Sequence, residues 1–447
     1  MKLTSLKRLA GLMLCLMLVL GTLALPAAAE EKTYDFGGIT ISQCNYWGKD
    51  LTPGQNDETD RFIARVAELE AKYNVKFEYR KGPEDYYDNM VTTIMAGEPY
   101  GDLMFAFPWD FSNWVKAGAV KDITGLVDEL GLDLSGYNPA SLEEGTLGGK
   151  LYGLNKEKAE INSMIAFNKR LVEEAGLESP YDLVARGEWN FDALQKYAKA
   201  LTKFDANGVN TQWGLSSFDA PWLAITMIYA NNGGVVDYSG ETPVFAMDAP
   251  NSLEALNLAA QMATVDKSVF VTQLGAEWDT AVKMFTGGQI GMLRSEQWII
   301  ECFNAWNMED DFGLVPFPMG PQATGYIDDI SSQAVYFIPS NVDDEHAKAA
   351  LLFYNDLYED LYPELSQEEK AVTKFTRYCR DEESVQNMAN IFYGGLTKST
   401  GIYKAGVTME NVSDIMYAIY AGTSTPAAVI AEKKPAIQAV IDGLYKK

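Results

Sequence analysis

The chain has 447 residues, 47% of them hydrophobic and 22% charged, with 36 Lys and Arg against 62 Asp and Glu for a net charge of −26. One hydrophobic core stops growing at roughly 250–300 residues, so more than one core is expected, and this composition excludes a wholly disordered chain. The acidic balance argues against nucleic acid and anionic membrane surfaces as partners and leaves room for a local basic pocket.

Lys2, Lys7 and Arg8 precede an apolar run from Leu9 to Leu25, and Ala27-Ala28-Ala29 supplies the small residues that a signal peptidase needs. This predicts an export signal over residues 1–29 and a place in the periplasm or on the extracellular face of the cell envelope, with an uncleaved anchor as the competing reading. Leu14 stands before Cys15 where a lipobox wants Gly or Ala, so no lipid is predicted. No later stretch reaches the roughly 18 apolar residues that would span a bilayer. Removal of the signal leaves 33 Lys and Arg against 62 Asp and Glu, a net −29. It also leaves Cys44, Cys302 and Cys379, an odd number, of which at most Cys302 and Cys379 pair.

The mature part opens with a strand-like stretch, Gly38–Ser42. Phe62, Ile63, Val66, Leu69 and Tyr73 share one helical face, and Asn74 breaks it. Val75, Phe77 and Tyr79 alternate as a strand, a helix follows around Tyr86–Met95, and Asp102–Phe105 is a short apolar strand. The order β-α-β-α-β predicts a parallel sheet with helices on its faces and ligand beyond the carboxyl ends of the strands. The segments there are Gln43–Lys49 and Ala106–Trp114. Further on, helices are expected to about Leu201, over Asn251–Ala263 with an Asn or Ser cap, and over Trp278–Phe285. Strands return at Gly291–Leu293, Gly313–Val315 and Ala334–Ile338, and the tail reads as helical. Two α/β lobes sharing one chain fit this alternation better than separate beads.

Little in the chain suggests catalysis. Its one histidine, His346, lies in the run Asp343-Asp344-Glu345-His346 and reads as a polar helix start, so histidine metal clusters and most Ser/His/Asp sites are excluded. Gly145–Lys150 mimics a phosphate loop, but Leu151 stands where Ser or Thr would hold magnesium, and a turn before a strand is expected. Asp205-Ala206-Asn207-Gly208 is similar to part of a calcium loop and lacks the bidentate acid at its far end. No cofactor is expected. Asp328-Asp329 is the carboxylate pair to watch, since it lies between strand-like pieces; a solvated loop is the plain alternative. Nine Trp and 24 Tyr are more telling. Tyr46-Trp47, Trp109-Asp110, Trp213, Asp219-Ala220-Pro221-Trp222 and Gln297-Trp298 set rings in polar surroundings. An indole face beside carboxylates suits a sugar ring, with core packing as the plainer account of any one Trp.

Several segments, in order, resemble the extracellular solute-binding proteins of family 1, which serve carbohydrate importers of the ABC class. Met95–Leu103 resembles the family's small-Gly-x-x-x-Asp-hydrophobic entry to the third strand, and Ala117–Thr124 its G-x-L-x-D-L-T segment. Gly149–Leu154 is similar to the G-K-x-Y-G-x-P crossing but lacks its Pro. Ala166–Leu171, Glu173–Leu177, Phe285–Met292 and Val315–Pro321 continue the series to beyond residue 360. The resemblance implies two α/β lobes, each a mostly parallel sheet flanked by helices, with a ligand cleft between them that closes on hinge crossings. The first lobe would hold residues 30–153 and 319–345, the second 154–318 and 346–447 with a helical C-terminus. It implies a monomer without enzymatic activity that binds a small carbohydrate, an oligosaccharide by preference, and hands it to a membrane permease and ATPase. Ligand contacts are implied for Tyr46, Trp47, Trp109, Asp110 and Trp298, and by extension for Trp222, Asp328 and Asp329. A binder of a polyamine, anion or peptide, a secreted glycoside-processing enzyme, and a surface adhesion or sensor protein are the alternatives.

Overall fold

The computed structural model describes residues 33–330 and 334–445; the expected export signal lies outside them. β1 (Ile39–Asn45), α1 (Asp57–Tyr73), β2 (Val75–Lys81), α2 (Met90–Met95) and β3 (Leu103–Ala106) follow the predicted order. α1 begins where the Asn56 side chain accepts from the Thr59 N–H, with Asp57, Glu58 and Asp60 in its first turn. The cap satisfies a free donor, and the acids suit the positive end of the helix dipole. Asn74 ends it in the left-handed conformation at φ 49°, which Asn tolerates. β1 pairs in parallel with both β2 and β3. α3 (Pro108–Lys116) starts on a proline whose fixed φ suits a first helical turn. α4 (Pro139–Glu144) and the short β4 (Gly153–Leu154) complete this part. The phosphate-loop look-alike is a hairpin turn, with Gly148 and Gly149 at φ 58° and 78° between two paired strands.

Residues 155–162 cross to a second sheet. Its strands are β5 (Met164–Asn168), β6 (Lys203–Phe204) and β7 (Asn210–Ser217), then β8 (Ile290–Ser295) and β9 (Phe312–Pro316). α5 (Ala220–Ala230) follows β7, and α6 (Gln297–Ala305) follows β8. The chain then passes through β10 (Asp328–Ile330) back to the first sheet as β11 (Val335–Phe337). α7 (Asp344–Leu357) follows, then α8 (Gln367–Phe375), α9 (Glu382–Tyr393), β12 (Thr397–Ser399), α10 (Met409–Tyr420) and α11 (Pro426–Tyr445).

The first sheet runs β2-β1-β3-β11-β4 and the second β9-β5-β8-β7-β6. Both are mixed, which corrects the expected mostly parallel sheets. In the first, β11 is antiparallel to β3 and β4; in the second, β8–β7 is the one parallel pair. β5 and β11 enter their sheets from the other lobe, so no helical crossover fixes their direction.

Each sheet is buried on both faces. Ile41, Leu103, Phe105 and Tyr336 enter one core of the first lobe, and the alternate residues Cys44, Met104, Ala106 and Val335 enter the other. In the second lobe Ile165, Phe167 and Leu215 face one core while Met164, Ala166 and Leu293 face the other. These side chains place the lobe boundaries differently from the expectation. Gly320 N–H donates to the Ala230 carbonyl, and Tyr326 and Ile327 pack on the second lobe's core, so 319–327 stays there. Ala347, Leu351 and Phe353 of α7 join Ile41 and Leu103 in the first lobe. Asp343 caps α7 by accepting from the His346 N–H, so residue 345 falls inside one helical turn rather than between lobes. The chain therefore crosses three times, and Ala371 and Phe375 of α8 and Met388 and Ile391 of α9 pack on the second lobe.

Cys44, Cys302 and Cys379 are all free. Asp205 folds its carboxylate onto the N–H groups of Asn207 and Val209, a self-contained turn, and no cluster of His, Cys, Asp and Glu that could hold a metal occurs among the described residues. The helix expected over Asn251–Ala263 runs Pro250–Thr264 without a side-chain cap.

Candidate functional site: the interlobe cleft

The three crossings leave a cleft of about 1620 Å³ between the lobes. Trp47, Phe105, Phe107 and Trp109 form its first-lobe wall, and Phe218, Trp222 and Trp298 its second-lobe wall. Lys156, Glu157, Lys158 and Glu160 of the first crossing face it, with Ile330 and Ala334 of the second.

The first-lobe wall follows from where β1 and β3 end. Trp47 stands just past β1, 57% exposed. It meets Phe105 and Phe107 edge-on at 5.6 and 5.5 Å, arrangements that ring quadrupoles favour. Phe107 stacks on Trp109 with centroids 4.0 Å apart and planes 18° apart. Trp109 also meets Tyr403 of the second lobe at 5.7 Å, so this wall touches the other lobe.

The second-lobe wall is held by a chain of hydrogen bonds. The Trp298 indole N–H donates to Glu296 Oε2 at 2.7 Å, and Glu296 Oε1 accepts from Arg294 Nη1 at 2.9 Å. Arg294 is buried in β8, and its Nε donates to Thr226 Oγ1 at 3.2 Å. The Thr226 hydroxyl in turn donates to Asp329 Oδ2 at 3.1 Å. An ion pair whose guanidinium also donates to a neighbouring hydroxyl tolerates such burial. The Trp298 ring is thus fixed through four other side chains to β10.

Burial raises the pKa of the nearby acids. Desolvation pushes Asp219 up to about 6 against the opposing pull of Arg294. Asp328 is pushed up to about 7 by burial and by the neighbouring Asp329, and Asp329 to about 6 by burial, with Arg294 again opposing. Glu157 and Glu160 at the cleft are also raised by desolvation, with Lys374 opposing. Lys374 sits 4.7 Å over the Phe392 ring, and Lys158 4.8 Å over that of Tyr393.

The structure brings Trp47, Trp109, Trp222 and Trp298 to the cleft, although Trp222 is 8% exposed and belongs mostly to the core. Tyr46 lies behind Trp47, against Tyr86 and Tyr87, and Asp110 lies half-buried near Tyr87 and Asp88; neither lines the cleft. Asp328 and Asp329 depart from the expectation more sharply: each is 1% exposed behind the wall. The reason is the hinge. Asp328 Oδ1 accepts from the N–H groups of Asn162 and Ser163 at 2.9 and 2.6 Å, which ties the outgoing crossing to the returning one, and β10 pairs with β12. Phe107, Phe218, Glu296 and the charged run Lys156–Glu160 were not anticipated. Phe107 lies two residues before Trp109, within the strand-end segment Ala106–Trp114, and four charges in five residues between two strands were a legible signal for the crossing.

An aromatic cleft between two α/β lobes joined by several crossings defines a two-lobed ligand-binding protein. The model of the bacterial extracellular solute-binding protein family matches residues 55–360, and the chain belongs to that family. No curated protein matches it in sequence. Among solved structures, the cyclic α-maltosyl-1,6-maltose binding protein of Arthrobacter globiformis is similar at TM-score 0.66 and 16% identity, over 91% of this chain and 100% of that one. An ABC substrate-binding protein of Listeria monocytogenes in complex with cycloalternan gives TM-score 0.60 and 17% identity, over 90% and 99%. UgpB of Mycobacterium tuberculosis in complex with glycerophosphocholine gives 0.61 and 15%, over 91% and 99%. These likenesses concern the fold. No helix among the described residues is long and apolar enough to cross a membrane.

Proposed function

We propose that this chain is the exported, monomeric substrate-binding component of an ABC importer and that it binds an oligosaccharide between its lobes. The observation that carries this reading is the pair of facing aromatic walls, Trp47–Phe107–Trp109 and Phe218–Trp298, in one cleft. Sugar rings offer apolar faces to indoles and hydroxyl edges to the mixed charges of Lys156–Glu160. At about 1620 Å³ the cleft exceeds the roughly 300–1,000 Å³ that suit a drug-sized ligand, which favours several rings over one. A polyamine would use the same rings and the carboxylates Glu157, Glu160 and Glu301, but Lys158 and Lys374 in the same cleft oppose a polycation. Closure would bring the walls onto the ligand and present a shape that a permease and ATPase pair could read, with no covalent step in the protein.

The test is thermal unfolding of residues 30–447 against mono- and oligosaccharides, with spermidine, amino acids and phosphate as controls. A ligand at 100 times its Kd adds about 2.7 kcal/mol and raises the midpoint. A shift with a saccharide that is recovered intact, and that is lost in Trp298→Ala, supports the reading. A shift with spermidine alone, or hydrolysis of the saccharide, overturns it.

A further inference from the structure

The aromatic wall does not stop at the mouth of the cleft. Phe218 and Trp298 line it with ring centres 5.6 Å apart. Trp278, which does not line it, lies 5.4 Å beyond Trp298, and Trp306 lies 6.0 Å beyond Trp278. Four rings therefore run in one series from the cleft through exposed Trp278 to Trp306, which is half-buried against the second lobe's core. Trp278 is 48% exposed, on a segment that also leaves Leu274 79% exposed, so this stretch serves the core little. Apolar area of this kind left in water is unfavourable unless something covers it. Hydrogen-bonding groups accompany the row: exposed Glu301 lines the cleft with Trp298, and Lys283 pairs with Asp279 at 2.6 Å and stands 6.0 Å over the Trp306 ring.

We infer that Trp278 and Trp306 form an outer saccharide subsite, which holds the sugar rings of an oligosaccharide that extend past Trp298 out of the cleft. The inference rests on the carbohydrate reading above. Continuity names the occupant: Trp298 belongs to both the cleft and the row, so a chain rooted in the cleft and leaving on this side meets Trp278 next. Size argues against a protein partner. With about 150–250 Å² per aromatic side chain, the exposed 48% of Trp278 and 38% of Trp298 present on the order of 200 Å². A stable protein interface needs about 800 Å² per partner.

The test is calorimetric titration of the full mature chain with malto-, cello- and xylo-oligosaccharides of two to seven units, for the native protein, Trp278→Ala and Trp278→Phe. In the series that binds, native affinity should rise with chain length. Trp278→Ala should lose about tenfold for the longest member and nothing for the shortest, and Trp278→Phe should keep most of the gain. Unchanged thermal midpoints without ligand confirm that both variants fold. Equal affinity of Trp278→Ala and native protein at every length overturns the subsite. An equal loss at every length also overturns it, because Trp278 then only props Trp298. Failure of all three series to bind the native protein sinks the carbohydrate reading first, and this inference with it.

Discussion

At the residue scale, the ring expected to meet ligand depends on Arg294, Thr226 and Asp329, buried groups that do not line the cleft. Thr226 both accepts from Arg294 and donates to Asp329, so Thr226→Val leaves a buried guanidinium N–H and a buried carboxylate oxygen without partners. The expected cost is about 3 kcal/mol, read as a lower urea midpoint. Glu296→Gln should be milder for folding, since the amide still offers an acceptor to the Trp298 indole or the Arg294 guanidinium. It should weaken saccharide affinity by about tenfold while native ring content is retained in near-UV circular dichroism; unchanged affinity would show that Trp298 is fixed by packing alone. Trp298 was legible because it follows a short apolar strand and matches a known pattern. Its support was not, because Arg294 and Glu296 look in sequence like two more charges among many. Asp328 and Asp329 show the opposite failure. Two acids between strands read as a site, but whether they face the cleft or the hinge is decided by pairing with Thr397 and Lys398, far along the chain.

At the scale of elements, the hinge is the part least visible beforehand. β12 is three polar residues, Thr397-Lys398-Ser399, with no apolar alternation to mark it, and it forms because β10 lies alongside. The βαβαβ opening was legible because each element carries its own periodicity and stop signal. The α7 boundary was not, because an amphipathic helix does not say which lobe its apolar face will cover. Asp328 fastens the two crossings, and its substitution tests that role. Asp328→Ala removes the buried carboxylate that accepts from the Asn162 and Ser163 N–H groups and should cost about 3 kcal/mol. Asp328→Asn keeps an acceptor and should cost much less at neutral pH. Equal stability of the two variants in urea unfolding would refute the fastening role.

At the scale of the whole molecule, three buried acids set a pH dependence. Glu144, 4% exposed and bonded by Ser399 Oγ at 2.9 Å, is pushed up to about 7 by burial, and Asp328 and Asp329 are raised as well. A folded pKa above the unfolded one means that, between about pH 4 and pH 7, the folded chain holds protons the unfolded chain has released. Stability therefore falls as pH rises through that window. Ion-paired acids such as Asp310 and Asp381, whose pKa is held low, lose their contribution only below about pH 4. The thermal midpoint should accordingly peak near pH 5. Glu144→Gln should flatten the decline toward pH 8, by on the order of 3 kcal/mol at most for a rise from 4.5 to about 7. A midpoint that climbs steadily from pH 5 to 8 would contradict this account.

An odd number of passes between the lobes has a practical consequence. The described chain starts in one lobe and finishes in the other, with α11 anchored to the second lobe's core through Ile437 and Ile441. Exposed Glu98 near the start and Gly443 near the end therefore ride on separate bodies. A donor and an acceptor dye attached at those two positions would turn the chain into a gauge of its own opening angle. Energy transfer between them should change when a saccharide binds and stay constant when a non-ligand is added.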